Sequence, residues 1–171
     1  MRVRIALELL DQIRGQTASI RALEAELARR VRAYAPQLLA ERGCGPLTAA
    51  KPIGEIAGVE RFATDAKLAR NAGSAPIPAS SGNSTRHRLD RGGNRQLNCA
   101  PHRLAVNKGL WDPDTAAYLA RKQAEGKTRK EALRCLKRHL TRRVWRLLRT
   151  PPTSATTSVT IHCNMPAHAL A

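Results

Sequence analysis

The chain has 171 residues, 42% of them apolar and only 3% aromatic, enough for one modest core or two small ones. Thirty Lys and Arg stand against 13 Asp and Glu, a net of +17, which favours a polyanionic partner, nucleic acid ahead of an anionic membrane surface. Four scattered cysteines without a C-x-x-C pair argue against a disulfide frame or a zinc site. The first twenty residues are too charged for a signal peptide, and no apolar run of about 18 residues offers a membrane span, so a cytoplasmic location is expected.

From Ile5 to about Leu38, the residues Ile5, Leu9, Ile13, Ile20, Leu23, Leu27, Val31 and Leu38 recur mostly at steps of three and four. This predicts a long helix with a near-heptad seam, able to pair as a coiled coil and so to support self-association. Gly15 weakens its first part, which places the firm section from Thr17 onward. Pro36 marks a break. The stretch Leu39 to Ala50 then carries the pattern of a helix-hairpin-helix over residues 39–57. An apolar helix end is followed by Gly43-Cys44-Gly45, and Pro46 suits the first position of a new helix. Gly43 and Gly45 would leave backbone N–H groups free for a phosphate. Pro52, inside that second helix, argues for a kink, because an interior proline costs about 3 kcal/mol. Gly58 is a stop. Val59, Phe62 and Leu68 offer contacts for a short following helix that Asp65 caps or adjoins.

Residues 71–94 read as a loop rich in Gly, Pro, Ser and Arg, where hydroxyls, amides and guanidinium groups of the kind that hold phosphates converge. A helix is expected from Asn94 toward Lys108, again interrupted by a proline, Pro101. Asp112-Pro113 opens a helix over 116–124 that Gly126 ends. Thr128-x-x-Glu131 is a capping box opening the cleanest helix, with Leu133, Leu136, Leu140, Val144 and Leu147 on its apolar stripe. Lys137, Arg138 and Arg142 are candidate phosphate contacts among its many basic residues. Between Arg86 and Arg149, 18 basic residues face 5 acidic ones, so the electrostatic footprint lies in the second half. His162 and Cys163 form no completed ligand set, and no metal site is assigned. Residues 151–171 read as a disordered tail.

The motifs Gly43-Cys44-Gly45-Pro46-Leu47-Thr48-Ala49, Ile53-Gly54-Glu55-Ile56, Asn71-Ala72-Gly73-Ser74-Ala75-Pro76, Ser80-Ser81-Gly82 and Arg91-Gly92-Gly93-Asn94-Arg95, with the segment Tyr118 to Leu148, occur in an order that resembles the C-terminal domain of insertion-sequence-110/116/902 transposases, the DEDD group. The resemblance covers about Gln37 to Arg149, and residues 1–36 resemble the coiled-coil linker preceding that domain. It implies DNA strand exchange guided by a bridging RNA, with a serine nucleophile that maps to Ser81, Ser80 being the nearest competitor. It also implies that Gly82, Arg86, Arg91 and Arg95 lie close to the nucleic-acid backbone. Arg88 sits in the same basic run.

In that family, carboxylates binding magnesium lie in a separate RNase-H-like domain, and no such segment precedes the linker helix here. The expectation is therefore a truncated transposase copy, inactive alone. It would bind no cofactor itself, Mg2+ entering only with the missing domain, while DNA, guide RNA and full-length transposase bound through residues 5–38 are its partners. The alternative is a non-catalytic nucleic-acid-binding protein or regulator. Pro52 and Pro101 stand where family members carry apolar residues, Gly92 where an arginine is common, and Cys44 where Ile or Val is usual. The predicted architecture is all-α: a linker helix over 1–36, a helical domain over 37–150, and the tail.

Overall fold

The computed structural model describes residues 1–80 and 87–150. Among these, seven α-helices and one two-stranded ribbon make up the regular structure, with one short 3-10 turn, so the all-α expectation holds. Helix α1 spans Arg2–Tyr34, α2 Pro36–Leu39, α3 Pro46–Ile56 and α4 Asp65–Asn71. Strands β1 (Ile77–Pro78) and β2 (His87–Arg88) pair antiparallel, and α5 (Arg95–Trp111), α6 (Pro113–Ala124) and α7 (Arg129–Arg149) follow. A loop expected over 71–94 therefore contains a ribbon, too short for any alternation of apolar and polar residues to announce it.

Helix α1 runs through Gly15 without interruption and, at 1.5 Å per residue, is about 50 Å long. Only its last turns enter the core. Ile5, Leu9, Ile13, Ile20 and Leu23 are all about half exposed or more, Leu27 is half-buried, and Val31 is 3% exposed. The apolar seam read from the sequence thus has two fates, one end packed on the body and the other facing solvent. Ala35 leaves helical geometry before Pro36 opens α2, as the proline requires of its predecessor.

Both interior prolines lie inside continuous helices, so Pro101 does not interrupt α5 as expected from sequence. The physical reason is their place on the buried stripes. Pro52 shares one with Ala49 and Ile56 on α3, and Pro101 shares one with Leu97, Ala100 and Leu104 on α5. Each ring supplies apolar surface to the core, and α3 packs on α5, which offsets the lost hydrogen bond. The expected caps fall as follows. Thr64, rather than Asp65, caps α4 by accepting from Lys67 N–H at 3.3 Å. Asn94 caps α5 through Leu97 N–H at 2.9 Å. The Thr128–Glu131 capping box opens α7 with both reciprocal bonds present. Ala57 and Gly58 end α3 in positive φ, and Gly126, at φ 83°, follows the end of α6.

Val31, Leu38, Ala49, Ile56, Leu68, Leu97, Leu104, Leu136, Leu140 and Val144 are the main apolar residues of the single buried cluster. Helix α7 lies at its centre, packed against α2, α4, α5 and α6. Trp145 seals one edge, donating its indole N–H to the Phe62 carbonyl at 3.0 Å.

Candidate nucleic-acid interface

The connection between α2 and α3 turns at Gly43, whose φ of 81° suits glycine, while Gly45 at φ −75° is an ordinary N-cap. A Cβ at Gly45 would meet nothing within 4 Å, so only Gly43 makes the conformational demand that sequence assigned to both. Pro46 occupies the first helical position as expected, and no side chain caps α3. Cys44 fills the turn from inside at 8% exposure. Its burial, together with the charge of Glu41, pushes the thiol up to about 11 despite the nearby Lys108 ammonium.

A second glycine device lies at the other end of α5. Helix α4 ends in left-handed Gly73 (φ 61°), with Ser74 N–H returning to the Ala69 carbonyl at 2.9 Å. Gly73 crosses Gly93 so closely that a Cβ on Gly93 would lie 2.2 Å from Gly73 N. Asn94 N–H donates to the Asn71 carbonyl at 2.7 Å across the same crossing. Asp90 fastens the approach: one carboxylate oxygen accepts Gly92 N–H at 2.9 Å and the other pairs with Arg70 at 3.0 Å. The segments 71–76 and 91–95 are therefore welded backbone to backbone. The β1–β2 ribbon, pairing Pro78 with His87, brings together the two chain ends that flank residues 81–86.

Side chains from α5 and α7 support this crossing from beneath. Asn98 donates to the Ala72 carbonyl at 2.5 Å and accepts from the Lys137 ammonium. Ser74 donates to Thr141 Oγ1 at 3.1 Å, and Thr141 donates to the Lys137 carbonyl at 2.9 Å. Asn94 completes the set by donating its amide to Glu55 at 2.8 Å, tying α5 to α3. Lys137 is only 8% exposed, and its pKa is lowered by burial first and then by the Arg134 charge. The same burial, with Lys137 nearby, lowers the His102 imidazole.

The residues singled out from sequence thus part company. Ser81, Gly82 and Arg86 lie outside the described residues. Ser80, Arg88, Arg91 and Arg95 are exposed, Arg91 and Arg95 within two residues of Gly93, and the three arginines form no ion pair with a described residue. Arg138 is likewise exposed and unpaired among the described residues. Lys137 is a buried strut, and Arg142 is committed to Asp65, its Nε donating at 2.6 Å. Gly43 packs against Leu104, Asn107 and Lys108, twelve residues or so beyond Arg95 and hence about 18 Å along α5 from the end that meets the Gly73–Gly93 crossing. The two glycine motifs therefore make two separate places, not one site. Sequence reasoning gave no role to Asn98 and Thr141, whose only signal was a polar residue inside a helix, or to Ser74, which it carried as one position of the 71–76 motif.

Among the described residues no group of three or more His, Cys, Asp or Glu is placed to hold a metal ion, and no helix is long and apolar enough to cross a membrane. Two comparisons with known proteins bear on this architecture. Over 116 residues, 66% of this chain, the sequence is 39% identical to the Insertion element IS110 uncharacterized 43.6 kDa protein of Streptomyces coelicolor. The aligned part spans 29% of that relative's length. The family model described as Transposase IS116/IS110/IS902 family matches residues 35–120, from the end of α1 through most of α6, and takes in both glycine devices. Half of the chain fits that model, and the chain belongs to the IS116/IS110/IS902 transposase family.

Proposed function

We propose that this chain is the nucleic-acid-binding, serine-bearing C-terminal part of an insertion-sequence transposase, acting on DNA phosphodiesters in transposition. The observation that carries this reading is the Gly73–Gly93 crossing, which fixes the backbone beside Arg91 and Arg95, exposed residues that form no ion pair with a described residue. Arg88, Arg91 and Arg95 spend no donor on a described residue's side chain, and their guanidinium groups suit phosphate oxygens and the charge that builds on them during attack. In the step itself the Ser81 Oγ–P bond forms and one P–O bond to deoxyribose breaks. The serine proton ends on the departing sugar oxygen, and the product is a phosphoserine-linked strand.

The magnesium that family resemblance implies has no ligand set among the described residues, so no step on this chain is assigned to it. A guide RNA would supply target sequence, since arginine-rich surfaces read phosphates rather than bases. The test is a covalent protein–DNA adduct formed by the chain together with guide RNA, magnesium and a full-length relative carrying its own serine replaced. An adduct that disappears in Ser81→Ala and persists in Ser80→Ala supports the assignment. Loss only in Ser80→Ala moves the nucleophile one residue. Binding without any adduct favours the second reading.

That second reading is a non-catalytic regulator, and the solvent-facing seam of α1 favours it. Five large apolar residues at near-heptad spacing lie exposed along Ile5–Leu23, a surface suited to pairing with the same helix of another copy or of a full-length transposase. Light scattering of the intact chain beside one lacking residues 1–24 tests it: a dimer that becomes a monomer on truncation is the expected result.

A further inference from the structure

On the outer face of α7 lies a cleft of about 300 Å³, lined by His139, Arg142, Arg143 and Arg146 and bounded by Lys108 of α5 and by Glu41. Two carboxylates organise the cations around it. Glu41 accepts Lys108 at 2.8 Å through one oxygen and Arg143 at 3.0 Å through the other. Asp65 accepts Arg142 at 2.6 Å and stands 3.8 Å from Arg146. Lys108 also stands 3.9 Å from Asp112, which pairs with Arg42 at 3.2 Å, so five cations share three carboxylates, leaving a formal excess of two positive charges around a recess, where concavity focuses the field more than a convex surface would. Each guanidinium spends one nitrogen on its carboxylate and keeps the rest of its five donors. The heads are consequently oriented without being used up, and the Arg143 and Arg146 side chains are 58% and 65% exposed.

We infer that this cleft is a second nucleic-acid contact, separate from the glycine crossing, which grips the phosphodiesters of one strand. The inference rests on the nucleic-acid reading above. From His139 to Arg146 the stripe climbs about 10 Å along α7, long enough to meet two neighbouring phosphates of one strand. Forked donors at that spacing suit a run of phosphates better than single carboxylates scattered on a protein partner.

His139 reports on the cleft. It stands edge-on to the Tyr118 ring of α6, centroids 5.9 Å apart. Burial lowers its pKa, and the charges of Arg138 and Arg142 on α7 and of Lys122 on α6 lower it further. Arg143 and Arg146 on its own helix, Lys108 on α5 and Glu41 complete the charged groups lining the same recess. A phosphate seated there opposes those cations and raises the imidazole pKa.

The test compares Arg143→Gln/Arg146→Gln with Arg21→Gln/Arg29→Gln, a pair on α1 that removes the same charge away from the cleft. Binding of the full chain to a duplex DNA and to an RNA hairpin of equal length is measured across a salt series, with a glutamate-rich peptide as third ligand. The expected result is that the α7 pair weakens DNA or RNA binding about tenfold and flattens the log–log salt slope by about 1.8 on duplex DNA, two contacts' worth. The α1 pair moves both less, and whichever polymer responds is the one gripped. The His139 pKa, followed by NMR, rises on saturation with that polymer. Arg146→Gln alone, at the more exposed and looser of the two ion pairs, keeps the test valid should loss of the Arg143–Glu41 pair unfold the chain. Equal effects of the two pairs, an unmoved His139, or displacement of nucleic acid by the glutamate peptide with the same His139 response overturns the inference. Failure of the unmodified chain to bind any nucleic acid overturns the functional reading itself instead.

Discussion

At the glycine crossing Arg88, Arg91 and Arg95 stand exposed with no carboxylate partner among the described residues, whereas on α7 Arg142, Arg143 and Arg146 share Asp65 and Glu41. The first group is held in place through backbone, by Gly73, Gly93 and Asp90, and its side chains take no carboxylate among the described residues. The second group is held through its own side chains and contributes to the body's cohesion as well as to its surface. One chain with a strong positive balance thus uses arginine in two ways. The difference lies in where its few acidic residues fall, not in the arginines themselves.

The comparison breaks most directly at Gly93. Replacing it by Ala drives a Cβ to 2.2 Å from the Gly73 backbone nitrogen, which backbone cannot yield without separating the two segments. A loss of about 4 kcal/mol or more is expected in urea unfolding, against less than about 0.5 kcal/mol for Gly45→Ala, whose new Cβ meets open space. The second-largest effect is expected at Glu41. Its side chain is 14% exposed, and Glu41→Gln leaves Lys108, 11% exposed, with only Asp112 at 3.9 Å. About 3 kcal/mol of stability should be lost, with Arg143 freed to the solvent.

Acidity sharpens the same contrast with a smaller effect. Burial works to raise the Glu41 carboxyl, but hydrogen bonds from Lys108 and Arg143 outweigh it and hold it below the ordinary value of 4.5. The stability it brings is complete above that value and is lost as pH falls through the folded one. His102 and His139 titrate below their ordinary 6.5, mainly through burial, so the unfolded chain binds more protons than the folded one just below that pH. Stability therefore already declines on acidification from about pH 6.5, before the carboxylates respond, and His139→Gln should flatten this early decline in unfolding curves recorded at stepped pH. In the same folded protein Cys44, with its thiol at about 11, should alkylate far more slowly than the half-buried Cys99 and Cys135, and denaturant should abolish the difference.

What was legible in the sequence was local. The capping box at Thr128, the break at Pro36, the stop at Gly126 and the stripe of α7 are fixed by residues within a turn or two of one another, and each is found where the pattern places it. The ordered glycine motifs were enough to give the family. Contacts between distant segments were hidden. Nothing near Lys137 announces that Asn98, 39 residues away, takes its ammonium into the interior. Nothing near Arg142 announces Asp65, 77 residues away. Pro52 and Pro101 misled for the same reason, since only the packing of α3 on α5 shows what their rings gain by burial. The separation of the Gly43 turn from the Gly73–Gly93 crossing along α5 is also a tertiary fact that motif order could not supply.

The smallest expected effect on stability accompanies the most direct test of the central claim. Arg88→Gln, Arg91→Gln and Arg95→Gln combined should alter unfolding free energy by less than about 0.5 kcal/mol per site, because none of the three is paired within the described fold. Measured on duplex DNA across a salt series, the triple variant should flatten the log–log slope by about 2.7, the release expected for three phosphate contacts. An unchanged slope with the fold intact would contradict the account.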